Sequence, residues 1–200
     1  SETSGVIFGT PLYTADLAQF VFTGNTPTDP GNIYSWDGEA ELVKITDMNP
    51  QLEDKIFGEQ EVIRFKARDG MEIEGLLIKP VGYEEGNTYP LILYVHGGPE
   101  SHHNNGWLSR YATPGQVMAG KGYLVAYLNY RASTGRGVAY SKLGQGDAAG
   151  EEQPPGQSTG SQEFTTIERG GHARFSLCDG SRCWDGWQPH VVFVVTASGG

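Results

Sequence analysis

The chain has 200 residues, 29 of them glycine and 11 proline, so one fifth of it favours turns, against roughly 12 % in average usage. Hydrophobic residues make up 38 % and aromatic residues 11 %, enough for a buried core in one or two domains. Two cysteines exclude a disulfide-framework miniprotein, and a net charge of −10 argues against a nucleic-acid partner, which needs clustered positive charge. The longest apolar runs, 91–95 and 191–195, are far shorter than the ~20 residues that span a bilayer, so we expect no membrane segment.

The first 57 residues alternate apolar and polar positions over short stretches, which predicts an antiparallel sheet. The expected strands contain Phe20 and Phe22, residues 33–36 after a turn at 27–31, and residues 41–45.

A β-hairpin is predicted next. Residues 61–66 and 71–78 flank the turn Asp69-Gly70, and the alternation places Met71, Ile73 and Leu77 inward.

The pattern changes after Pro90. Residues 91–95 form a continuous apolar run, as expected of a strand buried on both faces. A short helix over 114–119 and a second buried strand over 123–128 follow it. This order predicts a right-handed crossover in an α/β sheet.

A glycine turn follows the first buried strand, in the sequence His96-Gly97-Gly98-Pro99. Glycines at the carboxyl end of such a strand let backbone N–H groups point at the oxyanion of an acyl-transfer intermediate. The same residues also suit a simple tight turn, with proline ending the strand. Spacing alone leaves both interpretations open.

Several segments together resemble the prolyl oligopeptidase family of serine peptidases, which includes dipeptidyl peptidases and acylaminoacyl peptidases. The resemblance covers residues 1–152 and rests on the segments 46–50, 66–70, 89–100, 122–131, 133–137 and 144–152. It implies the end of a β-propeller over residues 1–57 and the first part of an α/β-hydrolase domain over 58–152. Residues 153–200 form a tail unmatched to the family.

The resemblance also implies an activity. Members hydrolyse peptide bonds through an acyl-enzyme with a Ser, Asp and His triad, so the expected substrate is a peptide and no metal or organic cofactor is required. Some members carry a tyrosine at the position of His96 whose hydroxyl serves the oxyanion hole. With histidine here, we expect Gly97 and Gly98 to supply backbone donors.

The resemblance stops after Glu152, where Pro154 and Pro155 prevent a helix from continuing. Residues 156–160 match the Gly-x-Ser-x-Gly pattern around Ser158 but lack a preceding apolar strand, which favours a polar loop. Ser198 follows the β-favouring run 191–195 and is the better candidate nucleophile, although the Asp and His are missing. We therefore expect this chain alone to be inactive.

The tail differs in composition from the rest. It contains no lysine, although both cysteines lie in it, and we interpret it as foreign to the family, for instance through a reading-frame shift. Its cysteines and histidines do not have the spacing of a metal site, and a disulfide between the cysteines is left open. These residues are His172, Cys178, Cys183 and His190. The tail also contains Trp184 and Trp187, for which a ligand surface is the alternative, although isolated aromatics are more often core residues or chance.

Other interpretations stay open. His102 and His103 lie in the polar loop after the glycine turn and are expected to be solvated, with a place in the lining of a substrate entrance as the alternative. A non-catalytic binding or scaffold module, and an esterase of the same fold, are the alternatives to a peptidase. The chain opens without methionine or a leader, which indicates a piece of a longer protein, and its compartment cannot be predicted.

Overall fold

The computed structural model describes residues 5–16, 18–39, 41–66, 70–87, 89–96, 101–111, 113–144, 163–165, 174–176 and 190–195. They contain two five-stranded sheets, one antiparallel, as predicted for the first part of the chain, and one mixed.

The antiparallel sheet lies in the first 44 residues. Its strands are β1 (Ile7–Phe8), β2 (Leu12–Tyr13), β3 (Phe20–Thr26), β4 (Asp29–Trp36) and β5 (Val43–Lys44). The long pair β3 and β4 forms the centre, β5 pairs with β4, and β1 and β2 pair with opposite ends of β3.

Aromatic residues line one face of this sheet because cross-strand partners point to the same side. Phe22 is stacked on Tyr34 at 6.4 Å, and Phe8 contacts Phe22 edge-on at 4.6 Å. The predicted strands are confirmed with shifted ends. The turn occupies Pro27 and Thr28, because Asp29 already pairs with Thr26, and the strand predicted at 41–45 is reduced to β5.

A short connection links the two sheets. It contains a 3-10 helix over Pro50–Leu52 and reaches Gly58, whose backbone N–H and C=O both bond the side chain of Gln116, at 2.7 Å and 3.0 Å. Gln116 is buried, so this double hydrogen bond fixes where the chain enters the second sheet.

The mixed sheet is formed by β6 (Gln60–Lys66), β7 (Glu72–Ile78), β8 (Leu91–His96), β9 (Leu124–Asn129) and β12 (His190–Val195), in the order β12-β8-β9-β7-β6. Strands β8 and β9 are parallel and flank helix α1 (Gly115–Ala119), which confirms the predicted strand, helix and strand. The hairpin of β6 and β7 is also confirmed. The remaining elements are α2 (Val138–Ser141), a 3-10 helix over Lys142–Gly144, and the pair β10 (Glu163–Thr165) and β11 (Arg174–Ser176).

Two apolar clusters pack on the two faces of the mixed sheet. One contains Ile92, Val125 and the buried Ala119 of α1, and the other contains Leu93 and Leu128. On β7 the alternation predicted burial for one face only, whereas Leu76 and Ile78 on the opposite face are buried as well. The reason is that helix α1 packs on this face, since Leu76 and Ile78 lie in the same apolar cluster as Ala119.

The loop between β8 and α1 contacts both sheets. Trp107 donates its backbone N–H to Asn25 Oδ1 of β3 at 2.8 Å and packs edge-on against Phe57. Gln60 of β6 donates to the backbone oxygen of Gly106 at 2.9 Å. In the part of the chain described, no helix is long and apolar enough to cross a membrane.

Candidate functional site

The parallel strands β8 and β9 end at the same edge of the mixed sheet, at His96 and Asn129. In α/β sheets, ligands bind outside the carboxyl ends of the strands. The polar side chains gathered at this edge therefore form the candidate site.

His96 is the best-connected of these residues. It is 6 % exposed, and its Nε2 lies 2.9 Å from Ser133 Oγ. Tyr130 donates its hydroxyl proton to the backbone oxygen of His96 at 2.9 Å, while the two rings stack at 4.4 Å. Both the backbone and the side chain of His96 are thus held.

Tyr130 and Ser133 belong to one tight turn. The backbone N–H of Ser133 donates to the oxygen of Tyr130 at 3.0 Å, and Ala132 has φ +68°. A positive φ at the third residue of a four-residue turn is the geometry of type II, in which glycine is preferred. Alanine is therefore strained at this position.

His103 is fixed at the end of β9. Its backbone N–H donates to Asn129 Oδ1 at 2.7 Å, and Asn129 Nδ2 donates back to the oxygen of His103 at 2.9 Å. The His103 ring packs edge-on against Tyr94, His96 and Tyr127. The expectation of a solvated residue is therefore wrong for His103, whereas His102 is exposed and bonds Thr134.

The tyrosines of the site stay protonated at neutral pH. Burial raises the pKa of Tyr130, Tyr94 and Tyr127 above the ordinary tyrosine value. Each hydroxyl therefore remains a hydrogen-bond donor.

A serine bonded to a histidine has the arrangement of a nucleophile and its base. Ser133, however, has no exposed surface, so its Oγ cannot meet a substrate. The contact between Ser133 and His96 holds the site together and performs no acyl transfer.

The predicted catalytic residues lie outside the described residues. These are Gly97, Gly98 and Ser198, together with the tail residues Ser158, His172, Cys178, Cys183, Trp184 and Trp187. Strand β12, which precedes Ser198, runs antiparallel to β8, with His190 opposite His96 and Val195 opposite Leu91. Among the described side chains, no group of three or more His, Cys, Asp or Glu could hold a metal ion.

The sequence assigned no role to Tyr130, Ser133 or Asn129. One signal was available: all three lie at or just after the end of a buried strand, where polar side chains of α/β sheets gather around ligands.

Comparison with known proteins identifies relatives of this chain. No protein-family profile matches the chain. An uncharacterized peptidase, YuxL, of Bacillus subtilis is 31 % identical over 138 residues, covering 68 % of this chain and 20 % of its own length. Dipeptidyl aminopeptidase BIII of Pseudoxanthomonas mexicana is 32 % identical over 125 residues, covering 59 % of this chain and 18 % of its own length.

A solved structure agrees with these relatives. The acylaminoacyl peptidase of Pyrococcus horikoshii superposes with a TM-score of 0.57 at 29 % identity, over 70 % of this chain and 21 % of that one. The chain thus spans about a fifth of the length of the proteins it matches.

Proposed function

We propose that this chain is a segment of a serine peptidase, because it is a homologue of the peptidases of the prolyl oligopeptidase family and spans about a fifth of their length. In this proposal residues 1–57 are the last strands of a β-propeller and residues 58–152 are the first part of an α/β-hydrolase domain. The substrate class is a peptide, because the relatives are peptidases. Hydrolysis would proceed through an acyl-enzyme.

The crossover from β8 through α1 to β9 is the observation that carries the proposal. It places His96 at the carboxyl end of a parallel strand, with Gly97 and Gly98 next in the chain. Two backbone N–H donors at such a position stabilise a tetrahedral oxyanion, and removing one donor costs about 10²–10³ in kcat. We assign this role to Gly97 and Gly98, with neither metal nor organic cofactor.

The chain alone is proposed to be inactive, because no described serine is both accessible and bonded to a histidine. An oxyanion loop without a nucleophile leaves only a small acceleration. Incubation with a fluorophosphonate probe tests this claim, with no stoichiometric labelling expected. Labelling that disappears in Ser198→Ala would overturn it and assign the nucleophile.

The oxyanion role needs a complete enzyme. The experiment is a chimera in which residues 58–144 replace the corresponding segment of Pseudoxanthomonas mexicana dipeptidyl aminopeptidase BIII, and release of dipeptides is measured. We expect an active chimera in which Gly98→Pro, which removes one N–H donor, lowers kcat by about 10²-fold with little change in KM. Val138→Pro is the control, because Val138 is exposed and is the first residue of α2, where a helix tolerates proline; an equal kcat in both variants would refute the assignment.

One observation favours a second candidate, a non-catalytic binding module. Strand β12 pairs with the whole of β8, as a tail that belongs to the fold would do. Limited proteolysis separates the two: a module resists cleavage through residue 200, whereas a foreign tail is trimmed back near Glu152.

A further inference from the structure

The residue that leads into the glycine loop is held by two groups of one turn. Tyr130 bonds the backbone oxygen of His96 and Ser133 bonds its side chain, both at 2.9 Å. These partners lie 34 and 37 positions away in the chain. Because they hold a main-chain atom and a ring of the same residue, His96 can neither rotate its peptide nor swing its side chain without breaking a hydrogen bond.

Packing strengthens this hold. The rings of Tyr130 and His96 stack with an interplanar angle of 24°, and Ser133 is fully buried. Buried hydrogen bonds are costly to leave unmade, because neither partner can turn to water instead. The hydroxyl of Tyr130 keeps its proton because burial raises the pKa of this side chain.

Backbone strain at Ala132 is a second, independent observation. Its φ of +68° is the only positive value at a non-glycine residue in the described chain. Strain of this kind persists where the surrounding structure over-determines it, and it clusters at functional sites. Here it closes the turn that brings Tyr130 and Ser133 to the same histidine.

We propose that Tyr130 and Ser133 are positioning residues that fix His96, and with it the direction in which the backbone leaves β8 toward the glycine turn. The role of that turn as an oxyanion hole rests on the proposed function, whereas the hold on His96 does not. Neither side chain touches the substrate; both act through His96.

Amide hydrogen exchange in the full 200-residue chain, followed by NMR, tests the proposal. Tyr130→Phe removes one oxygen and keeps the stacked ring. Tyr140→Phe is the matched control, because its hydroxyl also donates to a backbone oxygen, that of Asn129, at 3.2 Å. We expect exchange at Gly97 and Gly98 to become about fivefold faster in Tyr130→Phe and to stay unchanged in Tyr140→Phe.

A general loss of stability is recognised separately. Exchange at Ile92 and Val125, both without exposed surface, reports opening of the core. Equal acceleration there and at the two glycines, or no acceleration at the glycines, overturns the proposal. Ser133→Ala provides a second variant with the same expectation, since it removes the hydrogen bond between Ser133 Oγ and the ring of His96.

In the active chimera, kcat and KM can be measured separately, and loss of a residue with a purely structural role would not lower kcat alone. Tyr130→Phe should lower kcat about fivefold and leave KM unchanged, because the loop acts in the transition state. If Gly98→Pro has no effect in the chimera while exchange responds to Tyr130→Phe, the oxyanion assignment fails and the positioning role stands. The opposite pattern refutes the positioning role alone.

Discussion

The side chains of the two large sheets are buried to very different extents. In the mixed sheet, Ile92 and Val125 have 0 % exposure, and apolar clusters pack on both faces. In the antiparallel sheet, Leu12 is 74 % and Val43 56 % exposed, and few side chains besides Phe22 and Tyr34 are buried among those described. The hydrophobic effect follows buried apolar area, so the mixed sheet carries most of the stability.

The difference also bears on the candidate site. His96, Tyr130 and Ser133 lie at the edge of the better-packed sheet, where rigid strands and a buried turn hold them. A rigid scaffold of this kind allows a loop to present its backbone in one geometry. We therefore expect the site to keep its shape even when the antiparallel sheet opens locally.

The largest expected difference in stability is between two isoleucine-to-alanine substitutions, one in the mixed sheet and one beside the antiparallel sheet. Ile92→Ala should lower the free energy of unfolding by about 3–4 kcal/mol, because it opens a cavity in a filled core. Ile45→Ala, at a residue that is 54 % exposed beside β5, should change it by at most about 0.5 kcal/mol. Urea denaturation of both variants measures the two values. Similar losses would show that the antiparallel sheet is as well buried as the mixed one.

The connection between the sheets gives the next largest effect. An added Cβ at Gly58 would overlap the backbone oxygen of Lys79, and the two bonds to Gln116 prevent the backbone from moving away. Gly58→Ala should therefore cost about 2–3 kcal/mol of unfolding free energy. Gly120→Ala is the control, since its Cβ meets nothing closer than 3.4 Å and should cost nearly nothing in the same urea titration.

Sequence patterns predicted the mixed sheet well because its strands are local hydrophobic runs. The continuous runs at 91–95 and 123–128 correspond to β8 and β9, and the helix predicted from Pro114 is α1. Burial on both faces leaves a one-dimensional signature of this kind. Strand boundaries in the antiparallel sheet were less accurate, because half-buried strands pair through contacts that alternation does not encode.

The contacts of the candidate site could not be predicted in the same way. His96 meets Tyr130 and Ser133 across more than 30 residues of chain, so no local pattern links them. The positive φ of Ala132 is equally hidden, because alanine seldom adopts it. The direction of β12 against β8 is another long-range property that its apolar run does not determine.

The strained turn predicts a substitution that stabilises the protein. Ala132→Gly should raise the free energy of unfolding by about 0.5 kcal/mol, because relief of about 1–2 kcal/mol of strain exceeds the extra freedom of glycine in the unfolded chain. Ala139→Gly in α2 should instead cost about 1 kcal/mol. Thermal and urea denaturation compare the pair. An equal loss in both variants would mean that Ala132 is not strained.

The last expected effect depends on pH and concerns a carboxyl group of the antiparallel sheet. Asp29 of the antiparallel sheet is partly buried, which opposes ionisation, but hydrogen bonds from Lys44, Gly31 and Asn32 outweigh burial and lower its pKa. A carboxyl whose pKa is lower in the folded state stabilises it fully above its ordinary value of about 3.9, and this contribution is lost as the pH falls through the folded pKa.

Asp29→Asn should therefore lower the free energy of unfolding by about 0.5 kcal/mol at pH 7, the size usual for an exposed ion pair. The difference from wild type should shrink as the pH falls from 5 to 2.5, because the wild-type carboxyl is then protonated as well. Urea midpoints at pH 7, 5 and 2.5 measure this difference in stability, with Asp54→Asn at an exposed site as the control. A difference that is constant with pH would assign the loss to altered hydrogen bonding in the turn rather than to the charge of Asp29.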